Sequence, residues 1–322
     1  MKPIVFVDGQ EGTTGLRIHE HLAMRNDLEI LKIAPDKRRD LAEREKLLNA
    51  ADVVFLCLPD GASREAVGLV TNPRTIIIDA STAFRTDPAW TFGLPELHPT
   101  YRTKLKTSKR IAVPGCHATA FLLPVAPLVS CGVIAPSAPL TCFSLTGYSG
   151  GGKKMIAEYE SPAAPASFKG PRPYALTLAH KHLPEMKTHS GLNQPPLFQP
   201  VVCNVHSGLT VETFLPAPLL SGSVTPQEIH ALLSTHYQDE PFIRILPFDP
   251  DATGTQLTNG FFDITANNGT NRADIAVFGN SRSAGNVLLL ARLDNLGKGA
   301  STAAIQCMNL ALNLDETIGL AS

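Results

Sequence analysis

Short apolar runs alternate with polar, helix-forming segments through the first third of the chain. Turn residues bound four such runs, at positions 4–7, 28–33, 53–58 and 75–79. Runs of this kind are typical of parallel strands that are buried on both faces. Helix-forming residues dominate the intervening segments, at positions 16–25, 40–51 and 63–69. The resulting βαβαβ order predicts a doubly wound, nucleotide-binding α/β domain, although any other three-layer α/β sheet would share this periodicity.

The pattern changes near residue 140. Strand-like runs at 140–146, 201–205 and 209–215 follow one another without regular helical crossovers, and stretches rich in Pro and Gly separate them. This order is typical of an antiparallel α+β domain with long connections. The segment 299–314 has the periodicity of an amphipathic helix, so we expect it to pack back on the first domain.

Composition excludes several classes of protein. Hydrophobic residues make up 43% of the 322 residues and charged residues only 18%, which excludes a disordered chain, a coiled coil and a collagen-like fibre. The formal net charge is −1, so the sequence has no excess of basic residues for binding nucleic acid or an anionic membrane surface. We therefore expect small-molecule chemistry, with neither nucleic acid nor membrane as a partner.

The cellular location is predicted from what the sequence lacks. No run approaches the roughly 18 apolar residues of a membrane-spanning helix, and the first residues do not resemble a signal peptide. The six cysteines form no CxxC pair and have no regular spacing. In a chain without an export signal such cysteines are reduced thiols, so we expect a cytoplasmic protein.

A glycine-rich loop follows the first apolar run directly. Its glycines are Gly9, Gly12 and Gly15, and Thr13 and Thr14 lie between the last two at the start of a predicted helix. Glycines allow a tight turn and a close approach to a pyrophosphate, whose charge the helix N-terminus stabilises. The spacing GxxGxxG also suits a ligand-free turn, and the strand-then-helix context favours a cofactor site.

Basic residues follow the second apolar run. Lys37 and Arg38 stand where a dinucleotide-binding domain distinguishes a free ribose from a 2′-phosphate, so they favour NADP. The alternative is a solvated first turn of a helix.

Cys116 is a candidate nucleophile. It comes directly after Pro114 and Gly115, before a run of helix-forming residues. A helix N-terminus stabilises a thiolate, which is the nucleophilic form. A buried, inert cysteine is the competing interpretation. Pro124 and Pro127 are expected to kink or restart this helix within two turns.

Two further polar clusters carry possible chemistry. His180, His182 and Glu185 could bind a metal or supply an acid/base imidazole, but no third ligand is evident nearby, so no metal is expected. On a strand the two histidines would face opposite sides, and only an irregular segment would bring both to one site. Asn295 and Gly297 lie in a glycine-containing turn before the last helix, which either meets a cofactor or only caps that helix.

The order of these motifs along the chain is more specific to one protein family than any single motif is. The sequence resembles the N-acetyl-gamma-glutamyl-phosphate reductases of arginine biosynthesis, in their shorter subtype, within the aspartate-semialdehyde dehydrogenase superfamily. The resemblance runs through nearly the whole chain and rests on the glycine loop at 9–15, STAFR at 81–85, GLPEL at 93–97, PGC at 114–116, GYSGGGK at 147–153, HKHLPE at 180–185 and DNLGKGA at 294–300.

The resemblance implies a fold and a reaction. The fold is a Rossmann-type dinucleotide-binding domain at 1–115 with 297–322, and an α+β catalytic and oligomerisation domain at 116–296 with a mostly antiparallel sheet. The reaction is the NADPH-dependent reduction of N-acetyl-L-glutamyl 5-phosphate to the semialdehyde plus phosphate, through a cysteine thioester. The alternatives are reduction of another acyl phosphate, such as aspartyl phosphate, and a non-catalytic NADP-binding sensor. A homodimer or homotetramer is implied as well.

The resemblance also implies residue roles. Cys116 is the nucleophile, either His180 or His182 is the acid/base, and Arg85 and Glu185 bind the substrate. NADP contacts the glycine loop, Lys37 and Arg38 from one end of the chain, and Asn295 and Gly297 from the other.

Two departures from the family pattern stand out. His117-Ala118 follows the cysteine where the family often has Tyr-Pro, so we expect His117 to affect the thiol. GGGKK replaces the more usual SGAGR, which leaves Lys153 without an assigned role.

Overall fold

The computed structural model of the chain describes residues 2–10, 12–249, 257–279 and 285–322. The chain divides into two compact units. The first unit contains residues 1–115 and 300–321, and the second contains residues 116–299 and residue 322. Of the helices within the described ranges, none combines the length and the hydrophobicity needed to cross a membrane.

The strands and helices alternate in the first unit and cluster by type in the second. The strands are β1 (Ile4–Asp8), β2 (Glu29–Leu31), β3 (Val53–Leu56), β4 (Ile76–Asp79), β5 (Thr91–Phe92), β6 (Arg110–Ala112), β7 (Thr141–Gly147), β8 (Arg172–Pro173), β9 (Leu197–Cys203), β10 (Leu209–Leu215), β11 (Ile243–Ile245), β12 (Ala273–Phe278) and β13 (Val287–Leu293). The helices are α1 (Thr13–Ala23), α2 (Leu41–Ala50), α3 (Asp60–Leu69), α4 (Pro99–Leu105), α5 (Cys116–Ser130), α6 (Gly152–Glu160), α7 (Leu183–Ser190), α8 (Pro226–His236) and α9 (Thr302–Ala311).

The first unit is a parallel sheet covered by helices on both faces. Its strands lie in the order β2-β1-β3-β4-β6-β5, and neighbouring strands pair in parallel. Successive residues of β1 belong to different cores: Val5 and Val7 pack with α1 and α9, whereas Phe6 packs with α2 and α3. Burial on both faces explains the continuous apolar runs, and the predicted doubly wound domain is confirmed.

The last helix differs from its prediction. The predicted amphipathic helix at 299–314 is an α-helix only over α9, after a π-helical turn at Gly297–Ser301. The helix is buried on every side, including Gln306 and Asn309. These amides tolerate burial because they are bonded: Gln306 donates to Glu96 at 2.8 Å, and Asn309 accepts from Arg25 at 3.0 Å.

The second unit contains a seven-stranded, mostly antiparallel sheet. Its order is β11-β12-β13-β10-β7-β9-β8, with parallel pairing between β11 and β12 and between β7 and β9. Helix α5 packs on one face, against β10 and β13. The opposite face carries a row of aligned side chains that runs through Phe278, Leu288, Phe214, Thr141 and Leu197. Of these, Phe214, Thr141 and Leu197 are exposed, so an apolar sheet face remains open to solvent.

Helix α5 is continuous, and the break expected at its prolines does not occur. Pro124 and Pro127 both lie inside the helix. A proline at position 127 cannot donate to the carbonyl of Leu123, one turn earlier. The Tyr237 hydroxyl donates to that carbonyl instead, at 2.6 Å. A side chain from the end of α8 therefore replaces the missing helical bond, and complete burial of residues 117–129 holds the helix together.

Candidate active site

The glycine loop in the first unit is shaped for close approach of a ligand. Gly9 has φ +88°, and a Cβ there would lie 2.4 Å from the Cys57 carbonyl oxygen. A Cβ at Gly15 would lie 2.4 Å from the Gly9 carbonyl oxygen. Both positions therefore require glycine. Gly12 is the N-cap residue of α1, and Glu11 lies outside the described residues.

The start of α1 has donors suited to an anion. Among the residues that the structure describes, no side chain caps the helix, and the first N–H groups of a helix have no partner within it. The Thr13 hydroxyl is shielded from solvent and, within the described part of the chain, makes no hydrogen bond. An orphaned hydroxyl beside free helix N–H groups fits the phosphates of a dinucleotide. Thr14 lies in the same turn.

The basic residues after β2 lie in a short 3-10 turn. Lys37 is exposed, with its Nζ 4.0 Å from Glu43, and Arg38 is half-buried. Nearby, the buried carboxylate of Asp8 at the end of β1 accepts two hydrogen bonds from Arg44. Desolvation opposes the charge on Arg44, but the hydrogen bonds and the negative charges of Asp8 and Glu65 together outweigh it and raise the pKa of the guanidinium.

Arg85 lies at the carboxyl ends of β4 and β6, the edge where doubly wound sheets bind ligands. Its Nε donates to the Val113 carbonyl at 2.9 Å and its Nη2 to the Ala80 carbonyl at 3.1 Å. The guanidinium is thus oriented by backbone groups at the ends of these strands. Asp79 is buried beside it, and burial raises the pKa of this carboxyl although Ser63 and Ser81 donate to it.

Cys116 is the first residue of α5, as the sequence predicts for an activated thiol, and it is half-buried. The π-helical turn at Gly297–Ser301 packs directly against it. A Cβ at Gly299 would lie 2.5 Å from Cys116 Cβ, so only glycine permits this contact. π-Helical turns occur frequently at functional sites.

The predicted histidines lie in an irregular segment rather than on a strand. His180 precedes α7, His182 is its N-cap residue, and their ring centroids are 4.7 Å apart. The His117 ring joins them, 5.3 Å from His180 and 5.5 Å from His182. Phe198 of β9 packs edge-on against His117 and His180. Three imidazoles therefore form one cluster, and one of them belongs to His117, the residue that follows Cys116 in the chain.

The backbone determines the tautomer of His180. The N–H of His182 donates to His180 Nδ1 at 3.1 Å, so this nitrogen acts as an acceptor. The proton of the neutral ring is then on Nε2. Protonation of Nδ1 would break this bond.

His117 lies in a chain of hydrogen bonds. Its Nδ1 is 2.9 Å from Ser144 Oγ, and its Nε2 is 3.0 Å from the Tyr174 hydroxyl. Burial, together with the nearby charges of His180 and Lys181, lowers the pKa of His117 to about 3. Burial, and to a lesser extent the charge of Cys116, raises the pKa of Tyr174.

The other predicted residues of this unit are buried in supporting positions. Asn295 donates to Ser149 Oγ at 3.0 Å and accepts from the Gly208 N–H at 2.9 Å, so its amide joins two loops. Gly297 is the first residue of the π-helical turn, and Glu185 lies in the first turn of α7 with 1% exposure. Lys153 is exposed near the start of α6.

Sequence reasoning missed two members of the site. Tyr174 and Ser144 have no motif that marks them as partners of Cys116 or His117, and only the pairing of β7 with β9 and the irregular segment before α7 bring them together. Gly299 lies in the motif at 294–300, but its contact with Cys116 was not predicted. Although histidines cluster here, no group of three or more His, Cys, Asp or Glu side chains in the described ranges is arranged to hold a metal ion.

Comparison with known families matches both units. Residues 10–105 match the family model "Semialdehyde dehydrogenase, NAD binding domain", and residues 116–295 match "Semialdehyde dehydrogenase, dimerisation domain". The chain is 46% identical to N-acetyl-gamma-glutamyl-phosphate reductase 2 of Nostoc sp., over 99% of both chains. It is 41% identical to the N-acetyl-gamma-glutamyl-phosphate reductase of Sinorhizobium medicae, over 97% of this chain and 100% of that one.

Solved structures share the fold at low sequence identity. Aspartate semialdehyde dehydrogenase II of Vibrio cholerae aligns with a TM-score of 0.72 and 16% identity, over 97% of this chain and 99% of that one. The Candida albicans aspartate semialdehyde dehydrogenase, solved with NADP, aligns with a TM-score of 0.64 and 14% identity, over 96% and 98% of the two chains. At these sequence identities the comparison shows a shared fold only.

Proposed function

This chain belongs to the N-acetyl-gamma-glutamyl-phosphate reductases, within the semialdehyde dehydrogenases, and from that premise we propose its reaction. It reduces N-acetyl-L-glutamyl 5-phosphate with NADPH to N-acetyl-L-glutamate 5-semialdehyde and phosphate, a step of arginine biosynthesis, through a thioester on Cys116. The observation that carries the proposal is the position of Cys116 at the N-terminus of α5, directly before His117, whose ring lies in a cluster of three imidazoles.

The thiol supplies the covalent step. The Cys116 thiolate attacks the acyl carbon, the bond from that carbon to the phosphate oxygen breaks, and phosphate leaves. A thioester remains on the sulfur. The positive end of the α5 dipole stabilises the thiolate that begins this step. Covalent catalysis of this kind divides a difficult substitution and reduction into two easier steps.

The proton in the second half comes from His182. NADPH, when bound, would supply the hydride for the thioester. As the hydride reaches the carbon, His182 gives its proton to the carbonyl oxygen; it takes that proton back as the carbon–sulfur bond breaks, so the aldehyde leaves and the thiolate is regenerated. His180 accepts from the His182 N–H at Nδ1, so its Nε2–H serves as a fixed donor to the substrate oxygen.

Most of the residues assigned to the cofactor belong to the first unit. The glycine loop and Thr13 hold the pyrophosphate, with the α1 N-terminus as anion site, and Thr14 lies in the same turn. Lys37 and Arg38 hold the 2′-phosphate, and Asn295 and Gly297 contribute from the turn before α9. Replacing Lys37 and Arg38 by Ser should raise KM for NADPH and leave KM for NADH unchanged.

Arg85 and Glu185 are assigned to the substrate. Two backbone carbonyls orient the Arg85 side chain, and the fork geometry of a guanidinium suits a phosphate. Arg85→Lys should therefore raise KM for phosphate in the reverse reaction more than it lowers kcat. Glu185 is buried one turn after His182, so we place it beside the acid/base histidine.

The test is the reverse reaction. NADP reduction by N-acetylglutamate semialdehyde should require inorganic phosphate, and aspartate semialdehyde should be a poor substrate. Cys116→Ser should lower the rate by about a thousandfold or more, whereas Cys131→Ser, at the exposed end of α5, should not. A rate independent of phosphate, or a fully active Cys116→Ser variant, contradicts the covalent route. Binding of NADPH with no turnover on either semialdehyde favours a sensor.

The acid/base assignment has its own test. His182→Gln should lower kcat by about 10²–10⁴-fold and remove the ionisation of the imidazole from the pH profile. His180→Gln should retain that ionisation. The reverse outcome assigns the role to His180.

The second unit provides an oligomerisation surface. Its family model is a dimerisation domain. The open sheet face ends at an apolar cavity of about 400 Å³ lined by Phe214, Phe278 and Leu288, among others. We assign this face to pairing of two copies, in a homodimer or homotetramer. A nucleophilic thiol that acts in every turnover also needs a reducing compartment, and we place the enzyme in the cytoplasm.

A further inference from the structure

One face of α3 is bonded to the loop that ends at Arg85, which we call the Arg85 loop (residues 80–85). Asp60, Ser63 and Arg64 are three and four residues apart on this helix, so their side chains share a face. Asp60 and Arg64 bond to the middle of the loop, and Ser63 bonds to Asp79, the residue directly before it. The helix therefore contacts the loop at several points along its length.

Two exposed side chains fix the middle of the Arg85 loop. The Asp60 carboxylate accepts two hydrogen bonds from Thr82, one from its backbone N–H at 2.9 Å and one from its hydroxyl at 2.6 Å. Each carboxylate oxygen takes one of these bonds, so the pair has a single favoured orientation. Arg64 donates to the Ala83 carbonyl at 2.8 Å, and its guanidinium lies 5.1 Å from the centre of the Phe84 ring.

A buried carboxylate fixes the start of the loop. Asp79 and Ser63 are both fully buried, and the Ser63 hydroxyl donates to one oxygen of Asp79. Ser81 donates to the other oxygen, from its backbone N–H at 3.1 Å and from its hydroxyl at 2.6 Å. The Ser81 hydroxyl oxygen accepts in turn from the Ala83 N–H at 3.1 Å. The two sets of bonds therefore meet at Ala83.

These bonds determine where the Arg85 guanidinium can lie. Its side chain turns back to the Ala80 carbonyl at the start of the loop, at 3.1 Å, and to the Val113 carbonyl, at 2.9 Å. Only Phe84 separates Arg85 from Ala83 in the chain. Because peptide units are rigid planes, a shift at Ala83 would move the Arg85 backbone and pull its guanidinium away from these carbonyls.

We propose that Asp60 is a positioning residue that, together with Arg64, holds the Arg85 guanidinium in the orientation that binds phosphate. This assignment rests on the proposed role of Arg85 in binding the substrate. Asp60 is itself an anion and cannot attract a phosphate. Its contribution to phosphate binding is made entirely through the Arg85 loop.

The sign of its charge separates positioning from direct electrostatics. Asp60→Ala removes a negative charge from the neighbourhood of Arg85, and through charge alone this would strengthen the binding of an anion. The same substitution removes both bonds to Thr82 and releases the middle of the loop, which weakens binding if the loop positions Arg85. The two explanations therefore predict opposite effects of one substitution.

The experiment measures the Kd of the full chain for inorganic phosphate by isothermal titration calorimetry, with no semialdehyde present. Asp60→Ala should raise this Kd about tenfold. Asp60→Asn keeps an acceptor for the Thr82 N–H and should remain within about threefold of wild type, which is the expected rescue by a conservative variant.

Trp90 reports on the loop independently of phosphate. It is the only tryptophan in the sequence, and its ring stacks on Phe84 of the loop with centroids 4.0 Å apart. Acrylamide should quench Trp90 fluorescence more strongly in Asp60→Ala than in wild type or Asp60→Asn. This measurement shows whether the loop has been released.

Glu65→Ala is the matched control. Glu65 lies on the same helix and carries the same charge, but it bonds to Arg44, on α2, and not to the Arg85 loop. Its removal should leave the Kd for phosphate within about twofold of wild type. A Kd in Asp60→Ala that equals or falls below the wild-type value overturns the proposal, and so does a wild-type chain that does not bind phosphate.

Steady-state kinetics distinguish this role from the proposed reaction. In the phosphate-dependent oxidation of the semialdehyde, Asp60→Ala should raise KM for phosphate about tenfold and leave kcat within about twofold. A fall in kcat with an unchanged KM would indicate general structural damage and overturns the proposal. If no chain turns over either semialdehyde but the phosphate Kd values change as expected, Asp60 keeps its role and the proposed reaction is wrong. Turnover with the same KM for phosphate in Asp60→Ala contradicts the role of Asp60 alone.

Discussion

Gly299 and Cys116 lie so close together that only a glycine, which has no Cβ, fits at position 299. A Cβ on Gly299 would lie 2.5 Å from the Cβ of Cys116 and 3.1 Å from its Cα. Gly299 lies in the π-helical turn that precedes α9. This turn therefore determines where the first residue of α5 can lie, and with it the direction of the nucleophile.

Gly299→Ala should inactivate the enzyme. The added methyl group must displace the first turn of α5 or the π-helical turn, and a shift of the nucleophile by about 1 Å can cost about 100-fold in rate. We expect kcat to fall by about that factor. Steady-state kinetics of the phosphate-dependent oxidation measure it.

The matched control is Gly68→Ala on the exposed side of α3, where an added Cβ meets no atom within 4 Å. It should retain activity and gain about 0.5–1 kcal/mol of stability, because alanine favours a helix interior. Full activity in Gly299→Ala would show that the contact does not position the thiol.

Tyr237→Phe should destabilise the second unit. The Tyr237 hydroxyl is buried and satisfies the Leu123 carbonyl that Pro127 leaves without a helical donor. Losing that donor should lower the free energy of unfolding by about 1–3 kcal/mol, as measured by chemical denaturation.

The control is Tyr148→Phe, whose hydroxyl bond to Glu160 is exposed and should be worth far less. Tyr237→Phe with Pro127→Ala should recover part of the loss, because alanine supplies an N–H to the same carbonyl. Equal losses in the two Tyr→Phe variants would mean that this bond does not support α5.

Acid should destabilise the protein through His117. The folded protein holds this imidazole neutral down to a pKa of about 3, whereas the unfolded chain protonates it near pH 6.5. Between these values the unfolded state binds more protons, so the contribution is complete above pH 6.5 and is lost as the pH falls toward 3. At pH 4 the loss reaches about 3 kcal/mol.

The measurement compares wild type with His117→Gln by denaturation at pH 7, 6, 5 and 4. Glutamine does not titrate, so the wild-type stability should fall more steeply with acid than that of the variant. Parallel curves would mean that His117 is protonated alike in both states.

Phe214→Asp should dissociate the oligomer. Phe214 is 44% exposed at the centre of the open sheet face, and a charge there opposes burial against a second copy. Light scattering coupled to size-exclusion chromatography should show a shift to monomer. Leu41→Asp is the control, because Leu41 is similarly exposed, at 53%, but lies on α2 of the other unit. If Phe214→Asp keeps the wild-type mass, copies pair through another surface.

Much of the fold was predictable because local patterns carry it. The runs that became β1, β3 and β4 are apolar apart from the aspartates that end β1 and β4, since both faces of a parallel sheet are covered. The switch after residue 140 to strands without helical crossovers predicted the second sheet. The start of α5 at Cys116 was predictable as well, because Pro114 and Gly115 precede a run of helix formers.

Two local rules failed for tertiary reasons. Pro127 would break an isolated helix, but a tyrosine distant in sequence satisfies the freed carbonyl. The polar residues of α9 predicted an amphipathic helix, but Gln306 and Asn309 are buried with partners on other segments. Both exceptions depend on hydrogen bonds between residues far apart in the chain.

The sequence by itself determined the two fold classes, the family and the candidate nucleophile, because short-range periodicity and ordered motifs encode each of them. Only the tertiary structure decided which neighbours surround that nucleophile. Tyr174, Ser144 and Gly299 come from separate segments, and the direction of the hydrogen bonds through His117 depends on a carbonyl of β10 that no local pattern specifies. The position of each proton depends on which group of a hydrogen-bonded pair is the donor. That depends in turn on partners that only folding brings together.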